Sequence, residues 1–490
     1  MTEAIEIVDT TTRDGNQSLW GATGLTTPDV VGIAPTLDRV GHHALDFTSS
    51  THMAVSVRFH REDPWERIRL VRAAMPRTLL TFLTTGMRFI SWEPAHEDVI
   101  RLAFRLVVRN GVRRVQIAEP MNDPVALAQI ARLAKQEGAE EVVIGLTYSI
   151  SEVHDDEHYA TRAAAVARMP EVDRLYLKDP GGLLTVDRIR ELAPLFVGAF
   201  AGRPVELHSH CTIGLAPLVY LEGCALGFGT VHTAVAPLAN GTSQPATETT
   251  ARNLEASGFT HRLDTDALAA VSEHFRALAL ERGLPLGKPA EYDAGYYHHQ
   301  LPGGVVTTMR RQLEEIRRPE LFDEAIEEIG RVRADFGYPI VVTPYAQFLV
   351  TQAVMNVIAL RRGEGRYTDV PDEVVRYFLG HFGRPPAPPA PDVADRVLSL
   401  SRAEKLRRVE PLSLEGARDR FGSGISDEEL LLRLTMPAEQ VDGMLAGPAA
   451  PAPAPRRSPV VTLLREVERR RSITDLRLRK GDTTVVWRRS

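Results

Sequence analysis

Leu177-Lys178-Asp179-Pro180-Gly181-Gly182-Leu183-Leu184 closes the sixth of eight short apolar runs in this chain and sets a lysine at its polar end. Two other stretches end similar runs in the same manner. Arg13-Asp14-Gly15-Asn16-Gln17 follows the first run, and His208-Ser209-His210 follows the seventh. The runs are Ile5–Val8, Ala44–Phe47, Thr78–Thr84, Val112–Ile117, Glu141–Thr147, Val172–Leu177, Val205–His208 and Thr230–Val235. Between them lie amphipathic segments of helical period, clearest over Asp123–Glu137 and Val186–Phe200. Strand-like runs alternating with helices predict an α/β chain with a parallel sheet, and the count of eight favours a (β/α)8 TIM barrel. An open doubly wound sheet is the alternative, but no Gly-rich dinucleotide fingerprint follows the first run. In a barrel the active site lies at the C-terminal strand ends, where Asp14, Lys178, His208 and His210 all fall.

The chemistry of those four residues is that of a metal site. Alone, the H-x-H pair fits two core histidines on one face of a strand better than two ligands. Asp14 and Lys178 at the same rim shift the reading toward ligands. Asp14, His208 and His210 suit a divalent ion, whereas an ammonium repels one. Lys178 joins them only as a neutral amine condensed with carbon dioxide, a carbamate that binds as a carboxylate does. Two imidazoles and two anionic oxygens suit zinc, manganese or cobalt better than calcium or magnesium. Such an ion polarises a carbonyl and stabilises the enolate beside it. Arg13 could add positive charge there and Gln17 a neutral donor.

At 490 residues the chain exceeds the size at which one core keeps growing, so a large domain with smaller companions is expected. Hydrophobic content of 43% and charged content of 25% are those of a soluble globular protein. A net charge of −6 gives no overall pull toward nucleic acid or anionic membrane. Cys211 and Cys224 make neither a disulfide framework nor a Cys-rich zinc site. Met1-Thr2-Glu3-Ala4 lacks the basic start of a secretory signal, and no apolar stretch approaches the ~20 residues of a membrane span. A cytoplasmic enzyme is the expectation.

Four parts follow from the pattern. Residues 1–255 form the barrel. Residues 256–445 read as helical, over Asp264–Arg282, Val305–Arg317, Pro319–Phe336 and Pro344–Leu360, with prolines from Pro385 to Pro391 interrupting. Residues 446–459 are a Pro/Ala linker, semi-rigid and extended. Residues 460–490 make a small basic tail, with an amphipathic helix over Val460–Arg471 and a hairpin of Leu476–Lys480 and Thr483–Arg488 around Gly481-Asp482. So short a tail buries little core of its own and needs a partner.

These residues make the chain recognisable. It resembles the carboxyltransferase subunits and domains of biotin-dependent enzymes: pyruvate carboxylase, the oxaloacetate decarboxylase alpha subunit and the keto-acid half of transcarboxylase. The resemblance runs from Ile5 to Leu445. It rests on Asp9–Ser18, Pro64-Trp65-Glu66-Arg67, Leu177-Lys178-Asp179, His208-Ser209-His210, Gly241-Thr242-Ser243-Gln244-Pro245, Leu301-Pro302-Gly303-Gly304 and Val342-Thr343-Pro344. It implies a metal-containing barrel followed by a helical funnel domain that completes the active site. Asp14, His208, His210 and carbamylated Lys178 would hold the metal. Arg13 and Gln17 would contact the acceptor carbonyl or its enolate. Thr307 matches the threonine that shuttles a proton between biotin and the acceptor carbon. The implied reaction moves carbon dioxide between carboxybiotin and an enolate.

The acceptor wall departs from the family. Keto-acid members carry an arginine after the third strand in a Leu-Leu-Arg-Gly pattern, and this chain reads Leu83-Thr84-Thr85-Gly86. A threonine cannot form the bidentate pair with a carboxylate that arginine forms. Arg88 lies three residues on and could reach in, and Trp92 stands where a tyrosine is usual. Ser49-Ser50-Thr51-His52-Met53-Ala54 replaces a Gly-Gly-Ala-Thr-Phe-Asp segment, and Cys211 replaces an aspartate. The expected substrate-binding set is therefore Arg13, Gln17, Thr85, Arg88 and Trp92, with an acceptor other than pyruvate. The chain has no Met-Lys-Met biotin hairpin, so biotin is expected in trans. The tail resembles the opening segment of biotin carboxyl carrier proteins, implying a carrier protein and a biotin carboxylase as partners. A homodimer or larger assembly is the family default. The alternatives are an oxaloacetate-type decarboxylase, an aldol-type lyase on the same barrel, and a noncatalytic scaffold.

Overall fold

The computed structural model describes residues 4–91, 93–301, 303–342, 345–408, 410–447, 467, 474–480 and 483–488. Within these, the side chains at 298–299, 303–304, 307–308, 311–312, 480, 483 and 485 lie outside the description. The strands are β1 (Glu6–Asp9), β2 (Ala44–Ser49), β3 (Leu79–Thr84), β4 (Arg114–Ile117), β5 (Glu141–Thr147), β6 (Arg174–Asp179), β7 (Val205–Ser209) and β8 (Thr230–Thr233). They form a closed parallel barrel in chain order. Closure runs through β1 and β8, with Glu6 opposite Thr230 and Asp9 opposite Thr233.

Period-two alternation sorts each strand. On β6, Leu175 and Leu177 join the large apolar cluster beneath the helices. Arg174, Tyr176 and Lys178 take the opposite, lumenal face. On β7, Val205 and Leu207 belong to the same cluster, while Glu206 and His208 alternate with them. The lumen is consequently polar. Arg114, fully buried, donates to Glu206 at 2.6 Å and pairs with Glu141, and Arg174 donates to Glu141 at 2.7 Å. Above this layer Gln116 donates to the Tyr176 hydroxyl at 2.8 Å. Gly145 makes room for that ring, because a Cβ there would stand 2.4 Å from it.

The helices after the barrel serve two cores. Residues of Gly303–Glu315, Phe322–Asp335, Tyr345–Arg361 and Asp372–Phe378 build a second cluster around Phe336, Tyr345, Leu349 and Tyr377. Arg333 fastens this body to the rim beyond β5, donating to the Ile150 carbonyl and the Ser149 hydroxyl, each at 2.8 Å. Helix Thr265–Arg282 packs instead on the barrel through Leu268, Val271 and Phe275. So do Asp427–Thr435 and Ala438–Leu445, through Leu431, Leu432, Val441 and Met444. Helical periodicity shows that a segment has a buried face but not which core receives it, so residues 256–445 read as one unit in sequence although their ends lie on the barrel.

The tail hairpin is present as Asp475–Lys480 antiparallel to Thr483–Arg488. The proposed helix over Val460–Arg471 and the Pro/Ala linker lie outside the described residues, apart from Val467 and the linker's first two positions. Among the described residues no helix is long and apolar enough to cross a membrane.

Candidate metal centre and acceptor cavity

The chain leaves β1 through a short π-helical turn, Thr11–Gly15, that sets Arg13 and Asp14 at the barrel mouth. Asp9 anchors the turn by accepting from the Thr11 amide at 2.8 Å. Across the lumen, the parallel register sets Lys178 of β6 beside His208 of β7. His210 lies two residues on, where Gly182 (φ +65°) lets the β6 loop approach; a Cβ there would meet the His210 carbonyl at 2.5 Å.

Asp14, His208 and His210 converge, with one ligand atom from each lying within 4.8 Å of the others. Asp14 Oδ2 stands 3.3 Å from His208 Nε2 and 3.5 Å from His210 Nε2. All three are buried. Burial alone would raise the Asp14 carboxyl, but the Arg13 guanidinium and His210 hold it well below the usual range. Burial pushes His208 well below the ordinary imidazole value, against the opposing pull of Asp14. His210 Nδ1 donates to the Thr242 carbonyl at 2.6 Å, leaving Nε2 as the ligand atom. These donors fit a borderline divalent ion.

Lys178 fits the carbamate requirement. Burial, reinforced by the nearby Arg13 charge, lowers its amine to about 8. The neutral amine is the form that condenses with carbon dioxide, and the lowered pKa raises its share; Lys178 lines the same cavity as Asp14 and His210.

Residues that the sequence reading passed over complete the centre. Gln244 extends its amide nitrogen to Asp14 Oδ2 at 3.0 Å, His210 Nε2 at 2.9 Å and His208 Nε2 at 3.3 Å. It belonged to a stretch used for the resemblance but carried no assigned role. Asp46 on β2 holds Arg13, accepting from Nε at 2.8 Å and Nη2 at 2.5 Å. Its only signal was a carboxylate inside an otherwise apolar run. Arg13 Nη2 also reaches Asp14 at 3.1 Å, while Nη1 has no partner among the described residues.

These groups form one end of a cavity of about 890 Å³ between the barrel mouth and the helical body. Gln17, Ser49, Ser50, Thr51, Leu83 and Thr85 line the rest of its barrel side. Val305 and Met309, from the helix that also carries Thr307, close it from above. The Thr307 side chain and all of Trp92 lie outside the described residues. Arg88 is placed elsewhere than the reading of an acceptor ligand requires. It is not among the cavity-lining residues; its guanidinium donates to the His381 carbonyl at 2.9 Å and lies over the Phe382 ring. The turn after Gly86 directs the side chain into the joint between the two bodies.

A parallel barrel with an Asp-His-His centre and a buried lysine of lowered pKa defines a class of metal-site lyases and carboxyl-transferring enzymes. Residues 4–274 match the HMGL-like family, and residues 296–444 match the conserved carboxylase domain. A pyruvate carboxylase subunit from Methanocaldococcus jannaschii is 35% identical over 403 residues, covering 80% of this chain and 68% of that protein. The 2-oxoglutarate carboxylase large subunit of Hydrogenobacter thermophilus is 29% identical over 452 residues, covering 90% and 68%. The carboxyl transferase domain of Rhizobium etli pyruvate carboxylase superposes with a TM-score of 0.81 at 22% identity, covering 99% of this chain and 83% of that one. The chain belongs to the biotin-dependent carboxyltransferase family and is an enzyme of that family.

Proposed function

We propose that the chain is the carboxyltransferase component of a multi-subunit biotin-dependent carboxylase. It moves carbon dioxide between carboxybiotin on a separate carrier protein and the enolate of a small carbonyl acceptor other than pyruvate. A biotin carboxylase on another chain would charge the carrier. Asp14, His208, His210 and carbamylated Lys178 would hold a zinc, manganese or cobalt ion, which supplies Lewis-acid polarisation of the acceptor carbonyl.

The observation that carries the acceptor reading is the state of the cations facing the cavity. Among the described lining residues these are Arg13 and Lys178. Arg13 already faces Asp46 and Asp14, so its charge is met before any substrate arrives. Lys178 is committed to the carbamate. What remains among the described lining residues is the Nη1 nitrogen of Arg13, with the amides of Gln17 and Gln347 and side-chain hydroxyls that include those of Ser50, Thr51 and Thr85. Single neutral donors suit a carbonyl oxygen. They lack the forked, uncompensated charge that an acceptor carboxylate calls for. The described lining therefore favours an acceptor with no carboxylate beside its reacting carbonyl.

The chain's own residues then divide the work. Arg13 orients the acceptor oxygen and stabilises the charge that grows there, because its guanidinium is fixed by Asp46 and needs no reorganisation during the reaction. Thr307, carried on the helix over the cavity, holds the proton exchanged between biotin and the acceptor carbon. The apolar residues Leu83, Val305 and Met309 limit water around the enolate. Lys178 separates this reading from an aldol-type lyase, whose metal needs no carbamate. The test is labelled carboxyl transfer from a carboxylated carrier to an acyl thioester or neutral ketone, with and without divalent ion. Metal-dependent transfer supports the proposal. Metal-dependent cleavage of a hydroxyacyl substrate without carboxyl transfer overturns it in favour of the lyase.

A further inference from the structure

His210 and His208 are both expected to offer Nε2 to a metal, yet they are held in different ways. The Nδ1–H of His210 ends on a backbone carbonyl, that of Thr242. Among the described residues His208 Nδ1 finds no carbonyl. Its Nδ1 stands 3.1 Å from Nδ1 of His232, a residue on β8 that alternation turns into the lumen. Two imidazole nitrogens at that distance need one proton between them, so one ring must accept.

The rest of the column decides which. His232 Nε2 lies 2.8 Å from Glu206 Oε2, and an ionised carboxylate only accepts, so Nε2 of His232 carries the proton. Arg114, at 2.6 Å, and Arg174, at 3.4 Å, hold Glu206 ionised and already balance its charge, so nothing requires a second proton on His232. Nδ1 of His232 is then a lone pair. His208 must donate to it from Nδ1, which strips Nε2 of its hydrogen and aims a lone pair at Asp14 and His210. Tyr176 stacks on the His232 ring at 5.4 Å and 16° and keeps its plane from turning. His208, His232, Glu206 and Arg114 are all fully buried, so water cannot substitute for a missing partner.

We propose that His232, oriented by Glu206, is a positioning residue that fixes the metal-binding tautomer of His208. The inference rests on Asp14, His208, His210 and Lys178 being the ligand set, and it adds to that set a buried relay assembled from β7, β8 and β4. The arrangement extends the familiar carboxylate-to-histidine support of a metal ligand by one imidazole.

Metal affinity of the full chain, measured by competition with a chromophoric chelator, tests the proposal in two variants. His232→Leu fills the space but offers no acceptor. His232→Asn sets an amide oxygen near the position of Nδ1. His232→Leu should bind zinc about ten- to a hundredfold more weakly than the parent, and His232→Asn should recover most of that loss. A folded His232→Leu chain with parental affinity overturns the proposal. Equal loss in both variants also overturns it, since that is what a purely packing role produces.

Should His232→Leu fail to fold, nitrogen NMR of the unmodified, metal-free, histidine-labelled chain decides the question. A proton on Nδ1 of His208 coupled across the hydrogen bond to Nδ1 of His232 supports the relay. A proton on Nε2 of His208 contradicts it. A parent that takes up no divalent ion removes the metal reading, while the NMR result still reports the tautomers.

Discussion

The two ends of the cavity are built on different principles. At the metal end each ligand side chain is held by another group: Asp14 by Arg13, Gln244 and two imidazoles, Arg13 by Asp46, His210 by a carbonyl and His208 by His232. These groups come mostly from strands or from turns pinned to strands. At the acceptor end, Ser49, Ser50, Thr51, Leu83 and Thr85 offer hydroxyls and apolar surface with no uncommitted cation among the described residues. In the proposed reading, carbon dioxide transfer is held by the metal end, whereas acceptor choice is set by the hydroxyl and apolar side chains at the other end.

The largest effect should come from breaking the metal end. Lys178→Ala should abolish divalent-ion retention and carboxyl transfer together, read by metal analysis and by labelled transfer on the same sample. Thr307→Ala should keep the ion and lose transfer by about 10²–10⁴-fold, the range for removal of a positioned proton carrier. Equal turnover in that variant would remove the shuttle role. These two variants separate holding the metal from using it.

Sharpening the comparison at the other end is a gain-of-function test. Thr85→Arg installs a forked cation on the acceptor wall. It should improve apparent pyruvate affinity by roughly ten- to a hundredfold, the equivalent of about 1.5–3 kcal/mol for one charged hydrogen bond. An unchanged KM for pyruvate would mean that Thr85 does not face the bound acceptor.

A smaller effect distinguishes a perturbed lysine from an ordinary one. The Lys178 amine is lowered to about 8, so its neutral form grows as pH rises through that value. At fixed dissolved carbon dioxide, the carbamate-limited rate of metal uptake by the metal-free chain should rise about tenfold from pH 7 to 9 and then level off. An unperturbed lysine would instead give a rise of about a hundredfold with no levelling. Stopped-flow uptake with a metal-sensitive dye reads the difference.

Much of the frame was legible in sequence because period-two alternation and strand count are local properties. Leu175 and Leu177 face helices while Tyr176 and Lys178 face the lumen, and the primary structure states this directly. The meeting of Asp14, His208 and His210 followed from their places at strand ends once a barrel was assumed. Direction within loops was not legible. Arg88 sits three residues from Thr85, yet its side chain turns to His381 rather than into the cavity. Asp46, His232 and Gln244 were missed for a related reason, since their significance lies in partners distant along the chain. Asp46 holds Arg13, 33 residues before it, and His232 meets His208, 24 residues before it. Gln244 reaches Asp14 across 230 residues. The return of residues 427–445 to the barrel was hidden as well, because an amphipathic helix does not name the surface it covers.

The measurement that bears most directly on this account is a competition between pyruvate and a neutral carbonyl acceptor in one reaction with metal-loaded enzyme and carboxylated carrier. The label should appear in the neutral acceptor in preference to oxaloacetate, and Thr85→Arg should shift the ratio toward oxaloacetate. Preferential carboxylation of pyruvate by the unmodified chain would contradict the claim that the acceptor end lacks a carboxylate site.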